Sequence, residues 1–253
     1  MTNVLNHVAP TRKPAGATLQ WSVICDFDGT VTFDDFIDRL LEQHADVAWR
    51  AVEEDWKAGR IGSRECLTRQ IDMVRCSPVQ LARLIGRMKI DPGFGSFVAL
   101  CRQHALPLRI VSDGLDVAIR AILARHDLDN LPVFANRLEH RGKQRMRILF
   151  PQARDNCIAA SGMCKCAQAE AAAGGPGGDR AQTLLIGDGA SDFCLARAAD
   201  FVFAKGRLAA YCAAENIPFA AFGDFFDICR LLTGLLQGNT QAAAQTIPVT
   251  EPA

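Results

Sequence analysis

The feature that most constrains this chain is a short apolar run, Leu19–Phe27, which contains the first of two closely spaced aspartates, Asp26 and Asp28. The run is apolar and β-branched enough to form a buried strand. Carboxylates are costly to bury without a partner, so two of them at the end of such a strand call for a cation or a chemical role. Gly29 follows, and glycine lets the chain turn sharply and bring backbone amides close to an anion. These residues predict a Mg²⁺ and phosphate site at the carboxyl end of a strand in an open α/β sheet.

Two later segments repeat this pattern of a buried strand followed by polar residues. Pro107–Val111 leads into Ser112-Asp113-Gly114, and Thr183–Ile186 leads into a loop with Asp188 and Asp192. Taken singly, Ser-Asp-Gly and Asp-Gly are common at turns and helix N-termini. The intervening segments are long enough for crossover helices, so the strands can be parallel and end at one edge of a sheet. The sequence therefore predicts one shared site, with oxygen ligands of the kind that Mg²⁺ prefers.

The run Asp26-Phe27-Asp28-Gly29-Thr30 resembles the first motif of the haloacid dehalogenase-like (HAD) superfamily. The later motifs follow in order, with Ser112 in the second, Lys165 in the third, and Asp188 with Asp192 in the fourth. The resemblance covers residues 19 to about 230. It implies an α/β fold with a Rossmann-like three-layer core and a parallel sheet, and a phosphohydrolase activity.

The residue types fit the hydrolysis of a phosphate monoester. We expect Asp26 to attack phosphorus and form an aspartyl-phosphate. We expect Asp28 to protonate the leaving oxygen and then to deprotonate the water that hydrolyses the intermediate. The phosphate itself should contact the following residues: Ser112, Asp113, Gly29 and Lys165.

The expected cofactor is Mg²⁺, held between Asp26, the backbone carbonyl of Asp28, and Asp188. Asp192 could bind the ion directly or through water, or it could orient Lys165. The lysine is the weakest motif in the sequence, because it is only a cation at the start of a predicted helix. Lys143 is the alternative, and either one could be a solvated lysine, but the position of Lys165, some twenty residues before the fourth motif, favours Lys165.

Residues 32–92 have the apolar periodicity of four short helices, with Ser63 as the expected cap of the third and Ser77-Pro78 at the start of the fourth. Helices inserted directly after the first motif predict a cap that can close over the site, although they could also be part of a continuous core. Val133–Leu138 and Arg145–Phe150 predict a small β-hairpin beside the main sheet. The predicted domains are a flexible arm at 1–18, a HAD-like catalytic core at 19–31 and 93–237, a helical cap at 32–92 and a disordered tail at 238–253.

A helical cap in this position resembles the phosphoserine phosphatase-like subgroup, and within it the methionine-salvage phosphatases that act on 2-hydroxy-3-keto-5-methylthiopentenyl-1-phosphate. Met163-Cys164-Lys165-Cys166 matches their Cys-rich stretch, whereas Ser112-Asp113-Gly114 stands where they usually have Ser-Gly-Gly. In phosphoserine phosphatases an acid near Asp35 meets the substrate ammonium, but Asp35 could equally cap a helix. Gln70, with Arg69 beside it, stands where their carboxylate-binding arginine is expected. The predicted substrate is a small phosphorylated metabolite, with phosphoserine as the alternative to the methionine-salvage enol phosphate.

Composition excludes several other classes. The chain has 28 basic and 28 acidic residues, and the absence of a basic run argues against a nucleic-acid partner. Its apolar runs are strand-length and no secretory signal is visible, which predicts a cytoplasmic protein without a membrane partner. The sequence does not fix the oligomeric state, and a homodimer is one candidate.

Ten cysteines are many for such a chain, and most fall in predicted helices and strands, as buried free thiols do. Cys157, Cys164 and Cys166 could instead bind zinc, although four ligands and a wider spacing are usual. Four rival functions remain. A dehalogenase would not need Asp28, and an ion-pumping ATPase would need membrane helices. A phosphotransferase would share the aspartyl-phosphate, and a binding module would be expected to have lost an acid.

Overall fold

The central strand of the sheet is buried on both faces, as its mainly apolar sequence, with Ser22 as the one polar residue, favours. The structure, a computed structural model, describes residues 20–174 and 181–236. The described strands form a single sheet in the order β4-β3-β2-β1-β5-β6-β7. All neighbouring strands are parallel except the β3–β4 pair. The strands are β1 (Trp21–Cys25), β2 (Leu108–Leu115), β3 (Val133–Arg141), β4 (Arg145–Leu149), β5 (Gln182–Gly187), β6 (Phe201–Ala204) and β7 (Phe219–Ala221).

Ten α-helices lie in the described residues, and the first five lie between β1 and β2. Ser77 begins the fourth helix with a capping box in which Gln80 is the partner, and Pro78 occupies the first turn. A 3₁₀ turn (Ala190–Asp192) precedes the eighth helix. The helices are α1 (Phe36–His44), α2 (Trp49–Lys57), α3 (Ser63–Met73), α4 (Pro78–Arg87), α5 (Phe94–Gln103), α6 (Asp116–Ala124), α7 (Lys165–Ala172), α8 (Phe193–Ala196), α9 (Gly206–Ala214) and α10 (Phe225–Leu236).

The sheet has a hydrophobic core on each face because successive side chains of a strand point in opposite directions. Val23 and Cys25 belong to the larger core, which includes side chains of α5, α6 and α10. Ile24 belongs to the second core, with side chains of α7, α8 and α9. Helices therefore cover both faces, and the predicted Rossmann-like α/β class is confirmed.

The register of the sheet fixes where the functional segments meet. Cys25 pairs with Ile110 of β2 and with Ile186 of β5, and Gly187 of β5 pairs with Ala204 of β6. The residues that follow these positions therefore emerge at the same level, at the carboxyl edge of the sheet. This is the edge at which open α/β sheets hold their ligands.

Three structural details differ from the sequence predictions. Ser63 does not cap the third helix, because Gly62 holds the N-cap position and Ser63 is the first helical residue. The hairpin does not stand beside the main sheet, since β3 pairs in parallel with β2 and makes the hairpin its edge. The strand β7 was missed, because Phe219–Ala221 is only three residues long and two of them are alanines with weak β-propensity.

Other predictions fall on residues that the structure leaves out. The arm at 1–18 and the tail at 238–253 lie outside the described residues, as does most of the glycine-rich run at 174–178. Within the described parts of the chain, the helices are all too short or too polar to cross a bilayer.

Candidate active site

Asp26 is the first residue after β1, and its backbone N–H donates to the carbonyl of Ile186 at 2.9 Å. Its carboxylate lies in a buried ion pair, with Oδ1 at 2.9 Å from Nζ of Lys165. Lys165 in turn contacts Asp192 Oδ1 at 2.6 Å, and the side chains of all three are almost fully buried. Burial by itself lowers the pKa of Lys165, but the charges of Asp192 and Asp26 outweigh it and raise that pKa above its ordinary value. The lysine is therefore a fixed cation beside Asp26.

Asp28 has a different environment, although only one residue separates it from Asp26. Its Oδ1 accepts a hydrogen bond from the backbone N–H of Phe36 at 3.1 Å, while Oδ2 is buried without a protein partner. Burial raises the pKa of Asp28 well above its ordinary value, and the nearby charges of Asp35, Asp26 and Asp188 act in the same direction. A Cβ on Gly114 would lie 2.1 Å from this Oδ2, so the absence of a side chain there leaves room for the carboxyl group of Asp28. Asp28 is thus a carboxyl group suited to carry a proton.

Three aspartates converge on one point and fit a hard divalent cation. Asp26, Asp188 and Asp192 each offer a carboxylate oxygen, and these oxygens all lie within 4.8 Å of one another. Burial and the charge of Asp26 raise the pKa of Asp188, because they disfavour its negative charge. A bound cation would stabilise that charge. Thr30 Oγ1 donates to Asp188 Oδ1 at 2.6 Å and fixes its rotamer. An all-oxygen donor set of this charge is the kind that Mg²⁺ takes.

Gly29 is required where Asp26 and Asp188 meet. Its φ is +70°, and a Cβ there would lie 2.6 Å from Asp188 Oδ2. We expect Gly29→Ala to lower phosphatase turnover by about 10²-fold, the scale of loss when reacting groups move by about 1 Å. Gly59 is the matched control, since it has the same φ of +70° with nothing within 4 Å of its added Cβ. Gly59→Ala should share the backbone penalty of about 1–2 kcal/mol and keep wild-type turnover. Equal turnover in the two variants would show that the contact with Asp188 is unimportant; kinetics and thermal unfolding together measure both effects.

The segment Ser112-Asp113-Gly114 belongs to β2 rather than to a helix cap, and the pairing with β3 shifts register between Val111 and Leu115. Ser112 is buried, and its Oγ accepts from the N–H of Gly114 at 3.1 Å, which leaves the hydroxyl proton able to donate elsewhere.

The side chain of Asp113 is not the phosphate contact that the sequence predicts. Its carboxylate accepts hydrogen bonds from Ser63 Oγ, Asn136 Nδ2 and the N–H of Met163. An anionic carboxylate engaged in this way has no donor to offer a phosphate.

A cavity of about 360 Å³ joins the strand ends to the helices above them. Asp26, Asp28, Ser112 and Asp188 line one side, and α1, α2 and α3 supply the other. The helix residues that line it are Ile37, Asp38, Glu53, Trp56, Lys57, Ser63, Cys66, Leu67 and Gln70. The cavity thus has space for a phosphate group at the strand ends and adjoining space for a leaving group beside the helices.

Asp35 and Arg69 differ in their relation to this cavity. Asp35 caps α1 by accepting from the N–H groups of Ile37 and Asp38 at 2.7 and 3.1 Å, and it also lines the cavity. Although Asp35 as a whole residue is exposed, loss of water around its carboxyl group raises its pKa to about 7, and the charge of Asp38 adds to the shift. Arg69 does not line the cavity but points to solvent and pairs with Glu65, because neighbouring helical residues face directions about 100° apart. Arg69, the tentative candidate for a substrate contact from the helical segment, therefore lies outside the cavity, and Gln70 takes the inward position.

The three cysteines considered for zinc do not converge in the structure as the three aspartates do. Cys157 Sγ lies 3.3 Å from Ser161 Oγ, and Cys166 Sγ lies 3.3 Å from Cys194 Sγ. Across residues 20–174 and 181–236, the aspartate cluster is the one group of ligating side chains that converges.

Sequence reasoning missed several residues that support the site. Ser191 Oγ accepts from Lys165 Nζ at 3.1 Å, and Lys205 Nζ donates to the carbonyl of Thr30 at 3.2 Å. Thr30 and Ser191 lie inside motifs that the sequence analysis identified, so both could have been predicted from their positions. Lys205 follows β6 directly, and the rule that strand ends converge would have found it. Lys143, the alternative to Lys165, is exposed in the turn between β3 and β4.

Comparison with known proteins gives a consistent assignment. The family model described as haloacid dehalogenase-like hydrolase matches residues 23–197. A 2-hydroxy-3-keto-5-methylthiopentenyl-1-phosphate phosphatase of Brevibacillus brevis is 31% identical over 220 residues, which are 85% of this chain and 96% of that protein. A polyol phosphate phosphatase of Saccharomyces cerevisiae is 27% identical over 87% of this chain and 96% of its own length. Among solved structures, a phosphoserine phosphatase carrying an analogue of the phospho-aspartyl intermediate matches with a TM-score of 0.64. It is 18% identical over 86% of this chain and 99% of that chain, a likeness of fold.

Proposed function

The chain belongs to the haloacid dehalogenase-like hydrolase family, and from this premise we propose that it hydrolyses a small phosphorylated metabolite through an aspartyl-phosphate on Asp26. The family match and the phosphatase relatives make it a phosphomonoesterase. The observation that carries the mechanism is the placement of Asp26, 2.9 Å from the Lys165 ammonium and within reach of two further aspartates at the carboxyl edge of the sheet.

Asp26 is the proposed nucleophile. Lys165 places a positive charge beside its oxygen, which offsets the repulsion between an anionic carboxylate and an anionic phosphate. Asp192 holds the lysine from the other side at 2.6 Å, and Ser191 accepts a third hydrogen bond from it. The hydroxyl of Ser112 and the backbone amide of Gly29 are the further proposed phosphate contacts.

Asp28 is the proposed acid and base. In the first step its raised pKa lets it carry the proton that the departing alkoxide takes up. The resulting carboxylate can then accept a proton from the water that attacks the aspartyl-phosphate. Its hydrogen bond from the N–H of Phe36 holds Oδ1 and leaves Oδ2 for this exchange.

The residues that would hold Mg²⁺ are Asp26, Asp188 and the backbone carbonyl of Asp28, with Asp192 at the edge of the set. When bound, the ion neutralises charge on the phosphate oxygens as the reaction proceeds. Thr30 keeps Asp188 turned toward this point.

We expect removal of the metal to abolish turnover. Treatment with a chelator should lower the release of phosphate from p-nitrophenyl phosphate by at least about 10²-fold, because a Lewis acid supplies several kcal/mol to such reactions. Added Mg²⁺ should restore the rate and raise the unfolding temperature, since binding to the folded state adds about 2.7 kcal/mol at one hundred times the dissociation constant. Full activity in chelator, with no thermal shift on adding Mg²⁺, would contradict the metal assignment.

The segment 32–92, with helices α1 to α4, is the proposed cap, and its contribution to the cavity supports this role. The residues on its inner surface also help to identify the substrate. A carboxylated substrate such as phosphoserine calls for a free cation there, but Arg69 points outward, and the buried Gln70 donates to Glu53 Oε2 at 2.9 Å. Lys57 of α2 lines the cavity, but it already pairs with Glu53 Oε1 at 3.6 Å. These contacts favour the methionine-salvage enol phosphate over phosphoserine.

A substrate screen separates the remaining functions. We expect 2-hydroxy-3-keto-5-methylthiopentenyl-1-phosphate to give a higher kcat/KM than phosphoserine, pyridoxal phosphate or polyol phosphates. Phosphate transfer to an added alcohol in place of release into water would indicate a phosphotransferase. A protein with no Mg²⁺-dependent turnover on any of these esters would be a binding module on the same scaffold.

A further inference from the structure

We propose that Asp113 is a positioning residue, which fastens both the cap helix α3 and the backbone leading to Lys165 to strand β2. Its carboxylate thereby sets how closely the cap and the catalytic cation approach the phosphate. The inference rests on the proposed function in taking the cap and Lys165 as parts of a phosphatase site. The contacts themselves are independent of that function.

One oxygen of Asp113 holds the cap. Oδ2 accepts a hydrogen bond of 2.6 Å from Oγ of Ser63, the first residue of α3. The same end of α3 lies against the loop before α7, since the N–H of Arg64 donates to the carbonyl of Ala160 at 3.3 Å. Gly62 permits this approach, because a Cβ there would lie 2.6 Å from that carbonyl oxygen. The start of α3 is therefore docked on the core by a small and specific set of contacts.

The other oxygen of Asp113 holds the segment that carries the lysine. Oδ1 accepts from the backbone N–H of Met163 at 2.9 Å, two residues before Lys165. It also accepts from Asn136 Nδ2 at 3.0 Å, and the same Nδ2 donates to the backbone carbonyl of Asp113 at 2.6 Å. Asn136 is fully buried on β3, and its side chain holds both the carboxylate and the backbone carbonyl of Asp113. Met163 is held in turn by Ser161, whose Oγ donates to its carbonyl at 2.7 Å.

A carboxylate suits this junction because its two oxygens accept from several donors at once. One side chain thus joins three elements that come from distant parts of the sequence: α3, the strand β3 and the entry to α7. Its neighbour Ser112 is a proposed phosphate contact, so the junction adjoins the reacting group. The side chain in this place acts through other residues, because both of its oxygens are engaged by protein donors.

Four variants test the assignment with p-nitrophenyl phosphate as the probe. Asp113→Ala removes every side-chain contact. Asp113→Asn keeps an acceptor for Met163 and Asn136, and its amide can donate to Ser63. Ser63→Ala removes the cap contact alone. Thr68→Ala is the matched control, because it removes an exposed hydroxyl of the same helix that bonds within the helix, to the carbonyl of Arg64.

The expected kinetics separate the two halves of the junction. Asp113→Ala should lower kcat by about 10- to 100-fold, the scale that misplacement of a catalytic group produces. Ser63→Ala should raise KM by about tenfold, as the loss of one charge-assisted hydrogen bond allows, with kcat within about twofold of wild type. Asp113→Asn should recover most of the kcat lost in Asp113→Ala, and Thr68→Ala should match wild type.

Amide hydrogen exchange provides a readout that needs no turnover. Exchange should speed up at both 63–67 and 161–165 in Asp113→Ala, at 63–67 alone in Ser63→Ala, and at neither in the asparagine variant. Wild-type kinetics in Asp113→Ala, or an Asp113→Asn variant as slow as the alanine one, would overturn the proposal. If the wild-type protein releases no phosphate, the proposed function fails, and the exchange pattern alone decides whether Asp113 is the junction.

Discussion

Asp26→Asn is expected to lower kcat for p-nitrophenyl phosphate by more than about 10⁴-fold, the order of loss seen when a nucleophile is removed. The substitution keeps the size of the side chain and an oxygen that can accept from Lys165, which lies 2.9 Å away in the wild type. Lys165 also retains Asp192 at 2.6 Å, so the fold should tolerate the change. The loss would therefore be chemical, because an amide oxygen does not attack phosphorus as a carboxylate does.

The matched control is Asp34→Asn, an exposed aspartate eight residues along the chain that pairs with Arg39 at the surface. It removes one carboxylate and should keep wild-type turnover. Acid quenching of the wild-type enzyme during turnover should trap protein that is heavier by one phosphoryl group, with the modification on Asp26. An Asp26→Asn variant within tenfold of wild type, or a phosphoryl group found on another residue, would rule out Asp26 as the nucleophile.

Lys165→Met is expected to damage both activity and stability. Turnover should fall by about 10²- to 10³-fold, as it does when one preorganised donor to a developing charge is lost. Stability should fall by about 3–5 kcal/mol, because a buried ion pair that loses one partner leaves uncompensated charge. The lysine side chain is 2% exposed, and its partners Asp26 and Asp192 are 7% and 0% exposed, so water can screen little of that charge.

A double variant separates the two effects. Lys165→Met combined with Asp192→Asn removes one of the two carboxylates that the lysine compensates, and it should recover part of the stability without recovering turnover. Lys143→Met is the control, since this lysine is exposed in the β3–β4 turn. The variant should match wild type in both turnover and stability. Wild-type turnover in Lys165→Met, or a large loss in Lys143→Met, would show that another residue supplies the catalytic cation.

The sequence predicted the parts of the site that depend on local pattern. Buried strands were recognisable at β1, β2 and β5, because runs such as Val23–Cys25 and Thr183–Ile186 are apolar and bounded by turn residues. The helices α1 to α4 were recognisable from apolar periodicity, and Ser77-Pro78 marked a helix start that the structure has. Errors came where local pattern carries little information, as at the short strand β7 and at the cap of α3.

The choice between neighbouring residues was beyond the sequence. Arg69 and Gln70 are adjacent, and only the packing of α3 decides that the amide enters the cavity while the guanidinium meets solvent. Asp113 is a second example, since its partners Ser63, Asn136 and Met163 are each at least 23 residues away along the chain. No local pattern identifies such partners, because they are set by the register of β2 with β3 and by the docking of α3.

By itself, then, the sequence determined the chemistry: carboxylates at the ends of apolar strands, a glycine turn and a hydroxyl, all of which are properties of short segments. The sequence favoured Lys165 over Lys143 by its position, but only the tertiary structure decided that Lys165 Nζ lies 2.9 Å from Asp26 and that carboxylate oxygens of Asp188 and Asp192 lie within 4.8 Å of one on Asp26. The physical reason is that these residues lie far apart in sequence. Their distances follow from parallel pairing, in which Cys25 sits level with Ile110 and Ile186, and from the burial of helices on both faces of the sheet.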